Sequence, residues 1–387
     1  MKARRGRVLA LVLAGGAGGR LGVLTETRAK PAMPFAGVYK LVDFPLSNCH
    51  NSLVSDVWVL QQYNPGELTE HVANGRPWDL DRTYGGLRQV HPTLGPEDEE
   101  GWYKGNADAL YRNRAEIREF DPDLLLVLSA DHVYRLDYRD VLATHRERDA
   151  DATLVTTRVR PEEAGRFGTV EVDGAGRVTG FAYKPDEPST DLVTTEVFVY
   201  TARTLLDALD DLADAGGDDS GLEDFGDSLL PHFVEHGATW EHRLDGYWRD
   251  VGTVESYWQA HMELVRDDPP IDLDDAEWPI LTRAPDRPPA RVGGGLVEDA
   301  LVSPGAKVEG DVRGSVLGPG VSVAKGATVR DAVVFEDARI EAGAVVERAI
   351  VDAGARIEPE ARVEEGEGEI AVVERGAVVE AGSASSR

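Results

Sequence analysis

The sequence has almost no cysteine and no long apolar runs. Cys49 is the single cysteine among 387 residues, which excludes an intrachain disulfide and a cysteine-based metal cage. We therefore expect the reducing environment of the cytoplasm and interpret Cys49 as a small packed residue. No run reaches the roughly 18 apolar residues of a membrane-spanning helix, so we expect no membrane partner.

Positive charge is also scarce. The chain has 70 Asp and Glu against 41 Lys and Arg, which gives a formal net charge of −29. The negative electrostatic field of so acidic a protein repels nucleic acid and anionic membranes, so we expect no nucleic-acid partner. Any anionic ligand must be held by local positive groups. Only seven of the 41 positive residues are lysines, which draws attention to Lys30 and Lys184.

The stretch LVLAGGAGGRLGVLTETRAKPAM (11–33) places glycine and positive charge directly after an apolar run. A basic start and an apolar run also occur in signal peptides, but Val8–Ala14 is short and continues into the glycines. A strand that ends in such a loop exposes backbone N–H groups that bind phosphate. Arg20 and Lys30 could hold a polyphosphate from two sides. The alternative is two surface charges beside a flexible loop.

Short apolar runs alternate with helix-like segments over the first two-thirds of the chain. The predicted strands are 8–14, 56–61, 123–129, 152–159 and 194–200. This alternation is typical of a mostly parallel sheet covered by helices on both faces, which binds ligands beyond the carboxyl ends of its strands. Six prolines between 266 and 295 predict a linker, so the first domain is expected to span 1–265.

A different period begins after the linker. Small aliphatic residues recur at steps of five or six, and three such steps make one repeat with three short faces, at Ala306, Val312, Leu317, Val323, Val329, Val334, Ile340, Val346, Val351, Ile357 and Val363. One inward aliphatic residue per face is typical of a triangular parallel β-helix. A β-sandwich would instead alternate with a period of two. We therefore predict a β-helix domain over 296–387.

Three charged residues lie at positions suited to ligand binding. Asp131 follows the run 123–129 and is either a metal ligand or the N-cap of a helix. Asp250, within GYWRDVGTVESYW, could complete a hard-cation site with Asp131, although spacing alone does not show that the two meet. Lys184, in FAYKPDEP, either neutralises a sugar phosphate or is an exposed lysine.

The order of these motifs resembles the ADP-glucose pyrophosphorylase (glucose-1-phosphate adenylyltransferase) family of sugar nucleotidyltransferases. The matching segments are the glycine-rich stretch, LVDFPLSNCHNS (41–52), GWYKGNADALYRN (101–113), SADHVY, YKP, DFGDSLLP (224–231) and GYWRDVGTVESYW, followed by the repeat tail. The resemblance covers nearly the whole chain. It implies an α/β fold with a Rossmann-like, mostly parallel nucleotidyltransferase sheet and a left-handed hexapeptide-repeat β-helix, assembled as a homo-oligomer, a tetramer.

The resemblance also implies a reaction. A hexose 1-phosphate attacks the α-phosphorus of a nucleoside triphosphate and pyrophosphate leaves; ATP and glucose 1-phosphate are the expected substrates, for glycogen or a related glucan. Matching positions imply catalytic Arg20, Lys30 and Asp131, Mg²⁺ held by Asp131 and Asp250, a nucleotide site of Gly15, Gly16, Gln62 and Tyr103, and a sugar-phosphate site of Lys184, Asp224, Phe225 and Trp248.

Several positions depart from the family pattern. Tyr183 replaces a glutamate and Glu196 replaces a glycine that lies against the sugar. These changes leave open another sugar 1-phosphate, such as glucosamine 1-phosphate, whose ammonium could pair with Glu196. VHPTLG (90–95) replaces the usual glutamine pair, which leaves the base open. Thr27 replaces a lysine of activator-responsive members, so their sugar-phosphate activation is expected to be lost or altered.

Two further alternatives depend on what the chain retains. A non-catalytic regulatory paralogue would be expected to have lost some of the charged positions, yet all of these are present: Arg20, Lys30, Asp131, Lys184 and Asp250. An acyltransferase on the β-helix would need a general base, and the tail has no histidine after His261. The β-helix is therefore expected to serve assembly and effector sensing.

Overall fold

The computed structural model describes residues 6–16, 18–92, 102–216, 222–364, 366 and 368–382. The strands of its first part are β1 (Val8–Ala14), β2 (Pro34–Phe35), β3 (Tyr39–Lys40), β4 (Asp56–Gln61), β5 (Gly86–Val90), β6 (Leu124–Ser129), β7 (His132–Tyr134), β8 (Ala152–Arg158), β9 (Gly168–Val172), β10 (Val178–Tyr183), β11 (Leu192–Thr201), β12 (Thr239–Arg243) and β13 (Trp248–Asp250). The helices are α1 (Asp43–Asn51), α2 (Pro65–Val72), α3 (Asn106–Arg112), α4 (Arg114–Phe120), α5 (Tyr138–Glu147), α6 (Ala202–Gly216), α7 (Leu230–His236) and α8 (Val254–Leu264).

A nine-stranded sheet forms the centre of this part. Its main path runs β10-β9-β11-β6-β1-β4-β5, with β8 beside β11 and β12 beside β8. Strand β1 is parallel to β4 and β6, and β4 is parallel to β5, whereas β11 runs antiparallel to its neighbours β6 and β8. The predicted α/β sheet is confirmed: the strands predicted at 8–14 and 56–61 have those bounds, and the other three are present with ends shifted by one or two residues.

Strand β1 shows why this sheet lies inside the molecule. Leu9 and Leu11 pack into the layer formed with α3, α4 and α6, while Ala10 and Val12 pack into the layer formed with α1, α2 and α5. Both faces are therefore apolar and covered. The signal-peptide alternative would remove the middle strand of the sheet. Cys49 lies in the second layer, where burial raises the pKa of its thiol, in keeping with a packed residue.

The last part of the chain is a parallel β-helix of three sheets. Its strands are β14 (Arg291–Val292), β15 (Val297–Glu298), β16 (Leu301–Val302), β17 (Lys307–Val308), β18 (Asp311–Arg313), β19 (Val316–Leu317), β20 (Ser322–Val323), β21 (Thr328–Arg330), β22 (Val333–Val334), β23 (Arg339–Ile340), β24 (Val345–Glu347), β25 (Ala349–Val351), β26 (Arg356–Ile357), β27 (Arg362–Val363), β28 (Ala371–Val373) and β29 (Val378–Val379). Val323 pairs with Ile340, which is one full repeat further along the sequence. The predicted β-helix is confirmed.

The coils at the two ends of the β-helix depart from the regular repeat. Val308, rather than Ala306, pairs with Val323, so that coil is shorter than the repeat predicts. Val351 pairs with Val373 across a longer coil, because extra residues enter between β27 and β28. Strand β14 begins at Arg291, inside the range expected to be linker, so the domain bounds at 265 and 296 stay a prediction.

The connecting segment 266–290 is anchored on α1 rather than extended into solvent. The structure assigns it neither helix nor strand. The hydroxyl of Ser47 accepts a hydrogen bond from the backbone N–H of Leu281 at 2.8 Å, and Trp78 Nε1 donates to the Leu281 carbonyl at 3.1 Å. Pairing of this backbone lowers the cost of burying it.

The sheet domain and the β-helix share a buried core. Tyr257 and Trp258 of α8 pack in one cluster with Val333, Phe335 and other β-helix residues. Trp258 Nε1 also donates to the carbonyl of Asp331 at 2.7 Å. In the described ranges, no helix has both the length and the apolar character needed to cross a membrane.

A buried ion pair adds to this contact. Arg28 Nη2 lies 2.6 Å from Asp352 Oδ1, and both side chains are 1% exposed. We predict that Asp352→Ala lowers the free energy of unfolding by about 3–5 kcal/mol, because it removes the nearest carboxylate from the buried Arg28 charge and leaves only Glu67, at 3.9 Å. The midpoint of urea denaturation measures this change.

The matched control is Glu298→Ala, which removes the partner of Arg313 in a pair whose side chains are 67% and 43% exposed. Solvent screens that pair, so a loss below about 1 kcal/mol is expected. Equal losses in the two variants would contradict the role assigned to Asp352.

Candidate functional site

The chain leaves β1 through a glycine loop whose conformation needs glycine at two positions. Gly18 has φ +67°, and Gly22 has φ +56° with ψ −133°, a combination that side chains disfavour. The Thr25 hydroxyl donates to the Gly18 carbonyl at 3.0 Å and fixes the loop. A β-carbon on Gly18 would come within 3.2 Å of Lys30 Cβ, so the loop lies directly against Lys30.

Lys30 is the centre of the site. Its ammonium donates to Asp131 Oδ2 at 2.6 Å and lies 3.5 Å from Asp250 Oδ1. Asp131 follows β6, and Asp250 ends β13, which pairs antiparallel with β7. The structure therefore brings together the two aspartates that spacing alone could not join.

The N-cap alternative for Asp131 is wrong. The residues after Asp131 form β7, and the next helix, α5, is capped by Asp137, whose carboxylate accepts from the backbone N–H of Arg139. Asp131 is therefore free of any capping role and is directed at Lys30.

Burial and charge act in opposite directions on this centre. Burial lowers the pKa of Lys30, but the negative charges of Asp131, Asp250 and Glu196 raise it by more. The pKa therefore lies above its ordinary value, and the ammonium stays protonated. Burial raises the pKa of Asp131, but Lys30 and His132 reduce it well below its usual range. A buried ammonium thus pairs with a half-buried carboxylate, both of them charged, and the burial of Lys30 requires that this pair persist.

His132 and Glu196 complete an acidic cluster around Asp131. His132 Nδ1 lies 3.1 Å from the Thr195 carbonyl oxygen, which can only accept, so Nδ1 donates and Nε2 faces the carboxylates. Nε2 is 3.6 Å from Asp131 Oδ1 and 3.8 Å from Asp250 Oδ1. Asp131, His132 and Glu196 each offer a ligand atom within 4.8 Å of the others, a geometry suited to a metal ion.

Glu196 reaches this cluster because β11 is irregular. Its φ is +57°, and the pairing of β11 with β8 shifts between Thr194 and Phe198. This bulge turns the carboxylate into the cleft. Burial raises the pKa of Glu196, and the neighbouring Asp131 raises it further.

Arg20 and Arg166 approach Asp250 from outside. Arg166 Nη2 lies 3.7 Å from Asp250 Oδ2. A β-carbon on Gly252 would lie 3.0 Å from Arg20 Nη2 and 2.9 Å from Asp250 Oδ1, so this glycine makes room for the guanidinium. Arg20 and Lys30 thus both line the cleft beside Asp250, and their clamp on a polyphosphate stays a prediction.

Two clefts contain the predicted residues. The central cleft, of about 80 Å³, is lined by Arg20, Lys30, Asp131, Lys184, Asp224, Phe225, Trp248 and Asp250, among others. The glycine-loop cleft, of about 250 Å³, is lined by Gly15, Gly16, Gln62 and Tyr103, among others. Asn106 lines both. The structure therefore groups the predicted sugar-phosphate and metal residues in one cleft and the predicted nucleotide residues in the adjoining one.

Gln62 and Tyr103 form a wall of the glycine-loop cleft. Gln62 Nε2 donates to the Tyr103 carbonyl at 3.0 Å, and its Oε1 accepts from the Tyr103 N–H at 2.5 Å. The Tyr103 hydroxyl accepts from Asn113 Nδ2 at 3.0 Å. Residues 93–95 of the VHPTLG segment lie outside the described residues.

Tyr183 fills much of the sugar side of the central cleft. Its hydroxyl donates to Asp224 and accepts from the Lys184 ammonium. A β-carbon on Gly226 would come within 2.2 Å of the Tyr183 ring, so the ring lies directly on this glycine. Tyr183 thus links Lys184 to Asp224, two of the residues expected at the sugar phosphate.

The structure adds residues that the sequence motifs did not single out. His132 directly follows Asp131, and Asn106 lies within the GWYKGNADA segment, so adjacency to a motif was the available signal. Arg166 stands alone in the sequence, and only the fold brings it to Asp250.

Comparison with known proteins is consistent with this geometry. The family model "Nucleotidyl transferase" matches residues 9–267, and the model "GlmU-like, C-terminal hexapeptide" matches residues 289–382. Fold and site together define a nucleotidyl transferase that carries a hexapeptide-repeat β-helix.

Similar proteins of known name show which nucleotidyl transferases this chain resembles. The chain is 44% identical over 328 residues to glucose-1-phosphate adenylyltransferase from Thermotoga maritima, covering 84% of this chain and 77% of the relative. Identity is 40% to the proteins of that name from Acetivibrio thermocellus (86% and 77% covered) and Clostridium perfringens (86% and 84% covered). The chain belongs to the glucose-1-phosphate adenylyltransferase family.

We predict that Gly252→Ala reduces turnover about tenfold or more, because the added methyl group displaces the Arg20 guanidinium or the Asp250 carboxylate. Pyrophosphate release from ATP and glucose 1-phosphate is the measurement. Gly246→Ala is the control, since its β-carbon would meet only Leu244 Cδ1, at an ordinary 3.9 Å. If both variants turn over like the unmodified protein, Arg20 does not need the space at Gly252.

Proposed function

We propose that the protein makes ADP-glucose and pyrophosphate from ATP and glucose 1-phosphate, for the synthesis of glycogen or a related glucan. The observation that carries this proposal is the convergence of Lys30, Asp131 and Asp250 beside the glycine loop. Family membership and the names of the relatives support the same reaction.

The reaction needs charge neutralisation and alignment more than covalent chemistry. The phosphate oxygen of the sugar attacks the α-phosphorus in line, and the bond to pyrophosphate breaks. Backbone N–H groups at Gly15 and Gly16, together with Arg20, bind the triphosphate. Lys30 offsets the charge that develops during transfer, and Lys184 holds the sugar phosphate.

The sugar binds, under this proposal, between Asp224, Phe225 and Trp248. Trp248 packs edge-on against His132 and Phe167, with ring centroids 5.1 and 5.3 Å apart, which fixes its position. At about 80 Å³ the central cleft is smaller than ligand pockets usually are. We therefore infer that Tyr183 moves aside when the sugar phosphate enters, which releases Lys184 from the Tyr183 hydroxyl.

A divalent cation fits the donor set of the central cleft. Asp131 and Glu196 offer carboxylate oxygens, the ligands that Mg²⁺ prefers, and His132 offers a ring nitrogen. Asp250 lies outside this group of three, with its Oδ1 3.8 Å from His132 Nε2. Bound there, the ion would neutralise phosphate charge. The Lys30 ammonium lies between Asp131 and Asp250 and pairs with both carboxylates. Mg²⁺ as the ion, the homo-oligomeric tetramer, the cytoplasmic location and the absence of nucleic-acid partners stay predictions.

We predict that Asp131→Asn reduces the rate of ADP-glucose synthesis by about 10² or more, because it removes the nearest charge from Lys30 and a ligand oxygen from the cluster. Asparagine keeps the shape of the side chain, which limits damage to the fold. Pyrophosphate release, with circular dichroism as a check on folding, measures the effect.

The matched control is Asp207→Asn on α6, an exposed aspartate whose ion-pair partner Arg203 is 91% exposed. It should leave the rate unchanged. Near-normal turnover of a folded Asp131→Asn protein would refute the site assignment.

An amino sugar is the second candidate substrate. Glu196 places a carboxylate beside Asp131 and His132, where a smaller residue would leave open space. The ammonium of glucosamine 1-phosphate would pair with this carboxylate, and the neutral hydroxyl of glucose 1-phosphate would not.

We predict for this candidate that Glu196→Gln lowers kcat/KM for glucosamine 1-phosphate about tenfold and changes kcat/KM for glucose 1-phosphate much less. Initial rates with both sugar phosphates, in the original protein and in the variant, measure the difference. A large preference of the original protein for plain glucose 1-phosphate would dispose of the amino-sugar candidate and leave the main proposal standing.

A further inference from the structure

Two histidines lie one helical turn apart at the C-terminal end of α7. His232, Glu235 and His236 follow the pattern H-x-x-E-H within the segment PHFVEHG. Residues four positions apart on a helix project from the same face, and two histidines with this spacing hold zinc on the helices of metalloproteases. We name His232 and His236 the histidine pair. Neither of them lines the central cleft or the glycine-loop cleft, so the pair is separate from the site of the reaction.

The two imidazole rings already face each other. Their centroids are 5.0 Å apart, and their planes differ by 27°. His236 Nδ1 lies 3.2 Å from the His232 carbonyl oxygen, which can only accept, so Nδ1 carries the proton and donates. The Nε2 atom of His236 therefore keeps its lone pair. A hydrogen bond from one ring nitrogen to a backbone carbonyl is also the usual support of a histidine that binds a metal through its other nitrogen.

Burial and charge favour a cation at the histidine pair. Burial lowers the pKa of His232, and His236 lowers it further, while Asp211 of α6 and Glu235 raise it by less. The imidazole of His232 is therefore neutral near pH 7, which is the form that binds a metal ion. Asp211 and Glu235 add negative charge beside the pair, and this charge attracts a positive ion.

The last turn of α7 is fixed by contacts that do not involve the imidazole rings. The side chain of Phe233 is buried, and its ring packs on Tyr200 with centroids 5.1 Å apart. The Phe233 carbonyl accepts from the Thr239 hydroxyl at 2.6 Å and from the Gly237 N–H at 3.0 Å. The backbone that carries the histidine pair is thus in place before an ion arrives, so binding requires little further ordering.

We propose that His232 and His236 bind Zn²⁺ on the surface of the sheet domain, with water in the remaining coordination positions. Zn²⁺ accepts imidazole nitrogen as a ligand, whereas Mg²⁺ prefers oxygen. The acidic cluster at Asp131 offers two carboxylates and one imidazole, and the histidine pair offers two imidazoles. The pair is therefore the more selective of the two places for Zn²⁺ over Mg²⁺.

The helix that carries the pair also contributes to the central cleft. Leu230, the first residue of α7, lines this cleft, and so do Phe225 and Gly226 of the π-helical turn that precedes it. An ion held at the last turn of α7 stabilises the helix as a whole, because it binds the folded helix and not the unfolded chain. It therefore supports one wall of the central cleft from outside the site of the reaction.

Calorimetric titration of the full-length protein, without an affinity tag and with Zn²⁺ as the probe, tests this proposal. The titrated protein is the Asp131→Asn variant, because the acidic cluster at Asp131 also offers metal ligands. We expect a Zn²⁺ ion to bind in this background and its affinity to fall about tenfold or more when His236→Gln is added, since one of two ligand nitrogens is lost. Binding that is absent from the Asp131→Asn protein, or that His236→Gln leaves unchanged, overturns the proposal.

The matched control is His91→Gln in the same background, which removes an exposed histidine outside α7. It should leave the Zn²⁺ affinity unchanged. An affinity that falls equally in His91→Gln and His236→Gln contradicts binding at the pair. Mg²⁺ titrated in place of Zn²⁺ should give no binding that depends on His236, and Mg²⁺ binding that requires His236 would contradict a nitrogen site.

Thermal unfolding gives a second readout and a check on folding. Zn²⁺ should raise the unfolding midpoint of the Asp131→Asn protein, and EDTA should reverse the rise. Adding His236→Gln should abolish this rise and leave the midpoint without Zn²⁺ unchanged, because His236 is exposed. A rise of equal size with and without His236 contradicts the stabilisation of α7 by the ion.

Discussion

The site depends on one ammonium group held between two carboxylates. Lys30 is 5% exposed, and a charge so deeply placed is stable only with partners. Asp131 and Asp250 supply them, from the end of β6 and from β13. Without Lys30, these carboxylates and Glu196 would repel one another across a few ångströms. The fold around the site therefore holds these opposite charges next to one another.

The same arrangement explains how a strongly acidic protein handles anionic substrates. Its net charge repels phosphates at long range, so attraction must come from a few groups close to the ligand. Lys30 lies against Asp250, and Arg20 and Lys184 line the same cleft. Four positive side chains line this cleft together with four carboxylates, so the charges of the site nearly cancel before a ligand arrives; they are Arg20, Lys30, Arg166 and Lys184, and Asp131, Glu196, Asp224 and Asp250.

Most of the fold could be predicted from the sequence because its signals are periodic. Apolar runs such as Val8–Ala14 and the regular spacing of the β-helix each reflect one repeated packing requirement. The added coil residues after Val363 could not be predicted in this way, since they interrupt the repeat.

Residues of the site could be predicted only where they lie within local sequence motifs. Asp131 and Asp250 could be named, but their meeting depends on the antiparallel pairing of β7 with β13, which joins segments distant in sequence. The turn of Glu196 into the cleft depends on a bulge, and the approach of Arg166 depends on tertiary packing alone. Neither the bulge nor this packing produces a residue spacing that can be recognised in the sequence.

Arg28 and Lys30 lie close together in the sequence and point to different halves of the molecule. Arg28 is paired with Asp352 of the β-helix, whereas Lys30 is paired with the two aspartates of the sheet domain. The short stretch 28–30 therefore joins both halves through buried charge. Separated from the β-helix, the sheet domain would expose the apolar face of α8 and leave Arg28 without Asp352. In topology the chain has two domains, but in energetic terms neither is autonomous.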